Sequence, residues 1–469
     1  MASIQPNIAH SFTVRAEYAN EIGMLAQITS VIGFAGGDLG AMDIADAARD
    51  VMVRDITINA RDEEHSKEIV KAITEIDGVR IINVSDEVFL RHLGGKIEMN
   101  SKMPIKTRND ISIVYTPGVA RVSSAIHENP DSLWTLTSKG NTVAVVTDGS
   151  AVLGLGDIGP GAALPVMEGK AQLLKELAGI DAWPIVLDTN DTDEIVKTVK
   201  HLSPGFGGIN LEDIAAPRCF EIEKRLTDEL DIPVFHDDQH GTAVVVLAAL
   251  LNALKVVEKN MEDIKIVIVG IGAAGIATTN LLIKSGATTI IGVDKDGIIH
   301  RDKNYGDQVA WATYAKRTNP TNLKGGIEEA VEDADVFIGL SAPGVISVEN
   351  IRTMKKDSIV LAMSNPDPEV WPEEAQPYVK VMATGRSDYP NQVNNALCFP
   401  GMFKGVLQSR AKEINDEMKI AAAEAIASRV PDRLLSSEYV VPSIFDKTVV
   451  RAVARGVSVA ARGSGVSRR

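Results

Sequence analysis

The stretch IKIVIVGIGAAG, residues 264–275, decides the fold of the second half of the chain. An apolar strand runs directly into three glycines in the pattern Gly270-x-Gly272-x-x-Gly275, and the next residues, IATTNLLIKSG, favour a helix. A second strand, TTIIGVD, then ends at Asp294, at the spacing where an acidic side chain meets the ribose of a dinucleotide. This context predicts a Rossmann-type α/β domain rather than a glycine turn in a nucleotide-free α/β fold.

The glycine turn also predicts how a dinucleotide is held. Glycines allow a tight turn and a close approach of the pyrophosphate, whose charge is stabilised by free N–H groups at the helix N-terminus. Asp294 favours NAD, because its charge would repel the 2′-phosphate of NADP, although Lys295 could offset part of that repulsion and leaves NADP open. The cofactor-binding residues predicted here are Gly270, Gly272, Ala273, Ala274, Gly275 and Asp294.

Two later segments, DADVFIGLSAPGVIS and SIVLAMSNPDPE, are apolar strands that end in small and polar residues. In a parallel sheet, the carboxyl ends of the strands form the ligand crevice. The alternative is that the residues after these strands are ordinary loop residues. The residues expected along the crevice wall near the nicotinamide are Ser341, Ala342, Ser364, Asn365 and Pro366.

The composition is that of an ordinary globular chain of 469 residues, 45% of them apolar. Its net charge of −15 makes nucleic acid and anionic membranes unexpected partners. Two cysteines, without a Cys or His at zinc spacing, exclude a disulfide framework. No signal peptide is recognisable, and apolar runs such as 242–254 are shorter than the roughly 20 residues that span a bilayer. We therefore expect a cytoplasmic protein without a membrane span.

Residues 1–90 are predicted to form a small α+β domain with the element order β-α-β-β-α-β. This order resembles the ferredoxin-like ACT domain, a regulatory module for small ligands. The turn NEIGML, residues 20–25, lies where ACT domains often bind amino acids. The resemblance implies an amino acid or small metabolite as effector, and a dimerisation module without a ligand is the alternative.

The rest of the chain divides into three predicted regions. Residues 91–255 begin with a polar linker, and from about residue 111 strand-like and helix-like runs alternate, which indicates an α/β domain. This domain resembles the catalytic domain of the amino-acid-dehydrogenase-like fold. The Rossmann-type domain covers residues 256–400. Residues 401–469 are predicted to be helical and to pack on the catalytic core, and the Gly/Ser/Arg tail is expected to be disordered.

Two acidic pairs follow apolar strands in the catalytic region. VFHDDQHGT, residues 234–242, places Asp237 and Asp238 between two histidines, and NLEDIAAP, residues 210–217, contains Glu212 and Asp213. A zinc site is one interpretation, but the strand before the first histidine predicts that the two histidines lie across a loop rather than on one helical face. Oxygen ligands without sulfur nearby favour Mg²⁺ or Mn²⁺ instead.

The chain from about residue 91 to residue 430 resembles the malic enzymes. The matching motifs, in order, are VYTPGVA (114–120), TDGSAVLGLGDIGPGAALPVMEGK (147–170), NLEDIAAP, FHDDQHGT, the glycine turn, SNPDPE (364–369) and QVNNALCFPG (392–401). The resemblance implies oxidation of L-malate with NAD or NADP and a divalent metal, followed by release of CO₂ and pyruvate. It also implies a homodimer or higher homo-oligomer.

The resemblance assigns roles to individual residues. A lysine base must be neutral, so its pKa, about 10.4 in a free side chain, must be lowered by burial and a nearby cation. The implied roles are metal ligation by Glu212, Asp213 and Asp238; general base, Lys170; general acid, Tyr115; support of the lysine, Asp237; substrate contacts, Lys170, Asn365 and Asn395; and cofactor contacts, Ser341, Asn365 and Asn394.

One position departs from the larger malic enzymes, which place an arginine in the TDG loop to bind a malate carboxylate. Ala151 stands there in this chain, so another group must bind that carboxylate, with Lys106, Arg108 and Arg386 as candidates. Two alternative functions stay open at this point. One is a malolactic-type enzyme that keeps its cofactor bound, and the other is a non-catalytic protein that senses NAD or amino acids.

Overall fold

The computed structural model describes residues 6–306 and 308–468. The chain forms two compact units, Met1–Lys96 and Ile97–Arg469. Each unit has its own apolar core.

The N-terminal unit has the predicted order of elements, followed by one additional short helix. Its four strands form an antiparallel sheet in the order β2-β3-β1-β4. Alternate residues of β1 and β3, among them Val14 and Ile56, point into a core that Ile28 and Ile69 complete from two helices. The elements are β1 (Asn7–Ala19), α1 (Met24–Phe34), β2 (Asp38–Ala47), β3 (Val51–Ala60), α2 (Glu63–Thr74), β4 (Val79–Asp86) and α3 (Glu87–His92).

The second unit begins with helices and a four-stranded parallel sheet in the order β6-β5-β7-β8. Every residue of the central strand β5, TVAVVT, is buried, as expected for a parallel strand covered on both faces. The elements are α4 (Arg108–Val114), α5 (Gly118–Glu128), α6 (Leu133–Leu136), β5 (Thr142–Thr147), α7 (Gly159–Leu173), β6 (Asp181–Val186), α8 (Thr192–Leu202), β7 (Gly208–Leu211), α9 (Arg218–Glu229), β8 (Val234–His236) and α10 (Thr242–Val257).

The second sheet of this unit has six strands in the order β11-β10-β9-β12-β13-β14. All neighbours are parallel except the edge strand β11, so the Rossmann-type prediction is confirmed. The elements are β9 (Lys265–Val269), α11 (Ala273–Lys284), β10 (Thr289–Asp294), β11 (Gly297–Ile298), α12 (Val309–Arg317), α13 (Ile327–Val331), β12 (Val336–Gly339), α14 (Val348–Arg352), β13 (Ile359–Ala362), α15 (Pro372–Ala375) and β14 (Val381–Thr384).

Three further helices follow, α16 (Phe399–Ser409), α17 (Asp416–Ala427) and α18 (Lys447–Gly463). They share one apolar core with α10 and α11. The expected disorder of the tail is wrong for residues 464–468. Val466 accepts the Lys412 N–H at 3.0 Å, and Arg468 donates its N–H to Ser409 at 3.2 Å. These backbone hydrogen bonds join the tail to residues that are distant in the sequence. A sequence pattern does not predict such contacts.

The segment after β8 also differs from the expectation of a loop. Asp237–Gly241 forms a π-helical turn that continues into α10, giving a helical run of 21 residues from Asp237 to Val257. By length and composition alone this run could cross a membrane. The sequence pattern did not predict this, because the apolar run of residues 242–254 is too short to span a bilayer. However, 67% of its most apolar window is buried inside the protein, which is typical of a core helix.

Candidate active site

The acidic residues predicted to bind a metal converge where β7 and β8 end. Glu212 and Asp213 follow β7 and Asp238 follows β8, and one carboxylate oxygen from each lies within 4.8 Å of the others. The Asp213 N–H also donates to Asp238 Oδ2 at 2.8 Å, which holds the two loops together. The structure therefore brings together all three predicted ligands.

Negative charge is concentrated in this cluster. Glu212 and Asp213 are buried, and Asp237 is completely buried beside them. Burial and the neighbouring carboxylates raise the pKa of Glu212 well above its ordinary value. Lys170 forms ion pairs with Glu212 and Asp237, and His236 Nδ1 lies 3.7 Å from Asp238 Oδ2. A hard divalent cation such as Mg²⁺ or Mn²⁺ fits this set of oxygen donors.

Lys170 lies on α7, with its ammonium between two of these carboxylates. Its Nζ is 3.0 Å from Glu212 Oε1 and forms an ion pair with Asp237. The same nitrogen lies 4.6 Å from the centre of the Phe399 ring. Burial alone would lower the pKa of this lysine, but the carboxylates, Asp237 first among them, outweigh burial and raise the pKa above its ordinary value. The protein groups alone therefore keep Lys170 protonated.

The turn that carries Asp237 is held from behind by Glu223, a residue that the sequence did not single out. Glu223 accepts the His236 N–H at 3.0 Å and the Gln239 Nε2–H at 3.2 Å. It also hydrogen-bonds His240 Nε2 at 3.0 Å. Burial would raise the pKa of Glu223, but this contact and other nearby basic groups together lower it to about 2. The sequence feature that could have indicated Glu223 is its position next to the buried face of α9.

The same contacts argue against zinc. His236 ends strand β8, and the His240 ring is engaged by Glu223. The two histidines do not lie on one helical face, which agrees with the prediction, although His240 belongs to a helical turn rather than a loop. The cluster of converging metal ligands found among the described residues contains carboxylates alone.

Of the predicted amide side chains, Asn395 is placed at the site. Asn395 Nδ2 donates to Asp237 Oδ2 at 3.1 Å, and its Oδ1 is 3.4 Å from Thr242 Oγ1. Asn394 accepts the Ala396 N–H at 2.8 Å and caps a short helical turn. Asn365 follows β13 and packs against Gly385, where a Cβ would lie 3.1 Å from its Nδ2.

The predicted acid, Tyr115, lies at the protein surface. It directly follows α4 and is 66% exposed, and no hydrogen bond joins its hydroxyl to Lys170 in the described part of the chain. The structure therefore does not bring the predicted acid and base together within one subunit.

The three candidates for the malate carboxylate are exposed or already engaged by protein groups. Lys106 and Arg108 are exposed at the start of α4. Arg386 forms an ion pair with Asp388 at 2.7 Å and donates to the Pro366 carbonyl at 3.0 Å. Its side chain is only 13% exposed, so protein groups already engage the guanidinium.

The glycine turn has the geometry expected of a dinucleotide site. Gly270 adopts a φ of +94°, and a Cβ on Gly275 would overlap the Gly270 carbonyl. Around Gly272 there is open space, which leaves room for a pyrophosphate above the N-terminus of α11. Asp294 Oδ2 accepts the Ile271 N–H at 2.7 Å, which places its carboxylate beside the turn at the end of β10.

Comparisons with known proteins agree with this arrangement. The family model described as malic enzyme, N-terminal domain, matches residues 94–227, and that of the malic enzyme NAD binding domain matches residues 239–462. The chain is 59% identical to an NAD-dependent malic enzyme of Geobacillus stearothermophilus, over 98% of this chain and 96% of the relative. It is 54% identical to a bifunctional malic/malolactic enzyme of Bacillus subtilis, over 80% and 92%.

A solved structure shows the same similarity in three dimensions. The crystal structure of an NAD-dependent malic enzyme from Thermotoga maritima is 46% identical in sequence and superposes with a TM-score of 0.77. The match covers 80% of this chain and 99% of that one.

Proposed function

The chain belongs to the malic enzyme family, and from this premise we propose where and how it carries out the NAD-dependent oxidation and decarboxylation of malate. We place the reaction in the crevice between residues 91–255, which supply the acidic cluster, and residues 256–400, which bind NAD. The observation that supports this site is the Lys170 ammonium held between Glu212 and Asp237.

We propose that Glu212, Asp213 and Asp238 hold the divalent cation, since their oxygens converge and their charge exceeds that of Lys170. When bound, Mg²⁺ or Mn²⁺ would polarise the C2 oxygen of malate and stabilise the negative charge that develops there. NAD⁺ held at the glycine turn of residues 270–275 would supply the acceptor for the C2 hydride.

In this proposal Lys170 accepts the hydroxyl proton of malate as the hydride leaves. Proton acceptance requires the neutral amine, whereas the carboxylates raise the pKa of Lys170. Neutralising those carboxylates lowers that pKa again, so the base is coupled to the cation-binding residues. Lys170 donates a hydrogen bond to Asp237, and Asn395 donates one to the same carboxylate, so these two residues position the lysine.

Tyr115 is the proposed acid that returns a proton to C3 of the enol product. It is exposed, and Ile111 and Ile113 on the preceding helix are exposed with it, which supports delivery to a neighbouring subunit in a homo-oligomer. Mixing Tyr115→Phe subunits with Lys170→Ala subunits tests this, because recovered turnover requires the two residues to act across subunits. Absence of recovery in a stable mixed oligomer would place both residues in one subunit.

The decisive assay follows reduced cofactor with L-malate and NAD⁺ or NADP⁺, with Mn²⁺ and after chelation. We expect pyruvate, CO₂ and NADH in equal amounts, and loss of turnover without the metal. Undiminished turnover after exhaustive chelation would refute the metal site. A malolactic reaction is the second candidate because of the bifunctional Bacillus subtilis relative. It would produce lactate without net reduction of added NAD⁺.

For the N-terminal unit we propose binding of an amino acid or small metabolite at the turn of residues 20–25, as in ACT-like modules. The four-stranded sheet with two helices that pack into its core supports this. Titration calorimetry with amino acids on the full chain tests it, with Gly23→Ala as the variant, since Gly23 has a φ of +100°. A cytoplasmic location is proposed as well, consistent with the buried helical run.

A further inference from the structure

We propose that Glu369 is a positioning residue that holds two loops of the NAD crevice at a fixed separation. One loop follows β12 and contains Ser341, and the other follows β13 and contains Ser364. The Ser341 N–H donates to Glu369 Oε1 at 3.0 Å, and the Ser364 N–H donates to Glu369 Oε2 at 3.0 Å. One carboxylate therefore bridges the carboxyl ends of two adjacent strands.

The burial of Glu369 shows that this bridge is built into the fold. Its side chain is completely buried, and among the described residues no lysine, arginine or histidine forms an ion pair with it. Gly339 at the end of β12 makes room for it, since a Cβ there would overlap the Glu369 side chain. A buried carboxylate is costly unless donors satisfy it. Here the loop N–H groups donate to it, although burial still raises the pKa of Glu369 above its ordinary value.

In the proposed function, on which this inference rests, the two loops carry groups that contact the cofactor and substrate. Asn365 is next to Ser364, and Ser341 lies against the glycine turn, where a Cβ on Gly270 would be only 2.8 Å from Ser341 Cβ. Leu340 also donates its N–H to Val269 at 2.8 Å. A shift of either loop would therefore change the crevice at the point where the glycine turn meets it.

The variant Glu369→Gln tests the bridge. Glutamine keeps the size of the side chain but offers one acceptor oxygen, so its amide group must face one of the two N–H donors. The matched control is Glu374→Gln, the same change at an exposed position five residues along the chain. Two measurements on the full chain without substrate are used, hydrogen exchange of the loop amides and the Kd for NAD⁺ by titration calorimetry.

We expect Glu369→Gln to speed exchange at the Ser341 or Ser364 amide at least about 10-fold and to weaken NAD⁺ binding about 10-fold. The Glu374→Gln control should match the wild type in both measurements. In turnover, the KM for NAD⁺ should rise more than kcat falls, because the residue positions the crevice and does not touch the reacting atoms.

A second variant, Glu369→Asp, keeps the proposal testable if Glu369→Gln does not fold. Aspartate keeps the charge but is one methylene too short to reach both loops, so it should change the same two quantities in the same direction. Wild-type exchange and NAD⁺ affinity in the folded variants would overturn the proposal. Faster exchange across the whole NAD-binding region, without preference for the two loops, would overturn it as well. Neither measurement depends on the catalytic roles proposed above.

Discussion

Two acidic sites in the second unit differ in how far neighbouring basic groups neutralise their charge. One is the buried residue Asp335, and the other is the acidic cluster around Glu212. Asp335 lies just before β12, at the amino ends of the parallel strands. Lys259 and Lys355 each donate to it at 2.9 Å, and the Lys265 N–H donates at 2.9 Å. The acidic cluster around Glu212 lies at the carboxyl ends of the other sheet, and Lys170 is the lysine that pairs with it among the described residues.

The pKa values reflect this difference. Burial would raise the pKa of Asp335, but the Lys265 N–H and the two lysines lower it below its ordinary value. For Glu212, burial and the nearby carboxylates raise the pKa. A buried acid that the chain neutralises itself contributes to stability, whereas an under-neutralised cluster is suited to bind an external cation.

Lys170→Ala should have the largest effect, since it removes the proposed base and the lysine that pairs with Glu212 and Asp237. We expect kcat to fall about 10³-fold, with NAD⁺ binding retained. The measurement is steady-state turnover together with titration calorimetry. Lys175→Ala is the matched control, because Lys175 is exposed and pairs with Asp181 at 2.6 Å. Turnover near that of the wild type in Lys170→Ala would remove the base assignment.

Glu212→Gln should separate function from stability. Turnover should fall at least about 100-fold, because one cation ligand is lost. In chelator, however, the free energy of unfolding should rise by about 1 kcal/mol, since one charge leaves a crowded acidic cluster. Denaturant unfolding with and without Mn²⁺ measures this, and Mn²⁺ should stabilise the wild type alone. A large loss of stability in chelator would contradict the view that the cluster is under-neutralised.

Asp335→Asn should have the opposite effect to Glu212→Gln, because it should lower stability and leave turnover per folded molecule unchanged. We expect the free energy of unfolding to fall by about 1–3 kcal/mol at pH 7, because two lysines and one N–H lose a charged acceptor. The control is Asp333→Asn, at an exposed position in the same turn. A stability equal to that of the control would show that the lysines contribute nothing.

The pH dependence of this difference has a defined sign. Because the folded-state pKa of Asp335 is lowered, its stabilisation is fully present above the ordinary value of 3.8 and is lost as pH falls through the lowered pKa. The difference in unfolding free energy between wild type and Asp335→Asn should therefore be constant from neutral pH to about pH 5 and shrink below 3.8. A difference that grows on acidification would contradict the lowered pKa.

Asp294→Ala should have the smallest effect, since this carboxylate is half-buried and is held by the Ile271 and Lys295 N–H groups. Among the described residues it forms no ion pair, and we expect it to act on the ribose end of the cofactor. The preference of kcat/KM for NAD⁺ over NADP⁺ should fall about 10-fold. Asp296→Ala is the control, at an exposed position two residues on. An unchanged preference would refute the role of Asp294.

Much of the site was predictable because parallel strands deliver their carboxyl ends to one edge of a sheet. The apolar strands before Glu212 and Asp238 predict that the two residues lie close together. The spacing of its glycines predicts the dinucleotide-binding turn. Glu223 and Glu369 could not be assigned in this way. Each acts through contacts with backbone N–H groups of other segments, and a single acidic residue near a buried stripe carries no sign of such partners.

The sequence by itself determined the element order, the Rossmann turn and the residue types of the acidic cluster, because these depend on local periodicity and on backbone conformations that glycine alone adopts readily. The tertiary structure alone decided which buried acids are neutralised. Lys259 and Lys355 reach Asp335 from positions 76 and 20 residues away, whereas Lys170 must serve several carboxylates at once. Charge balance depends on distances in space, and separation along the chain does not specify them.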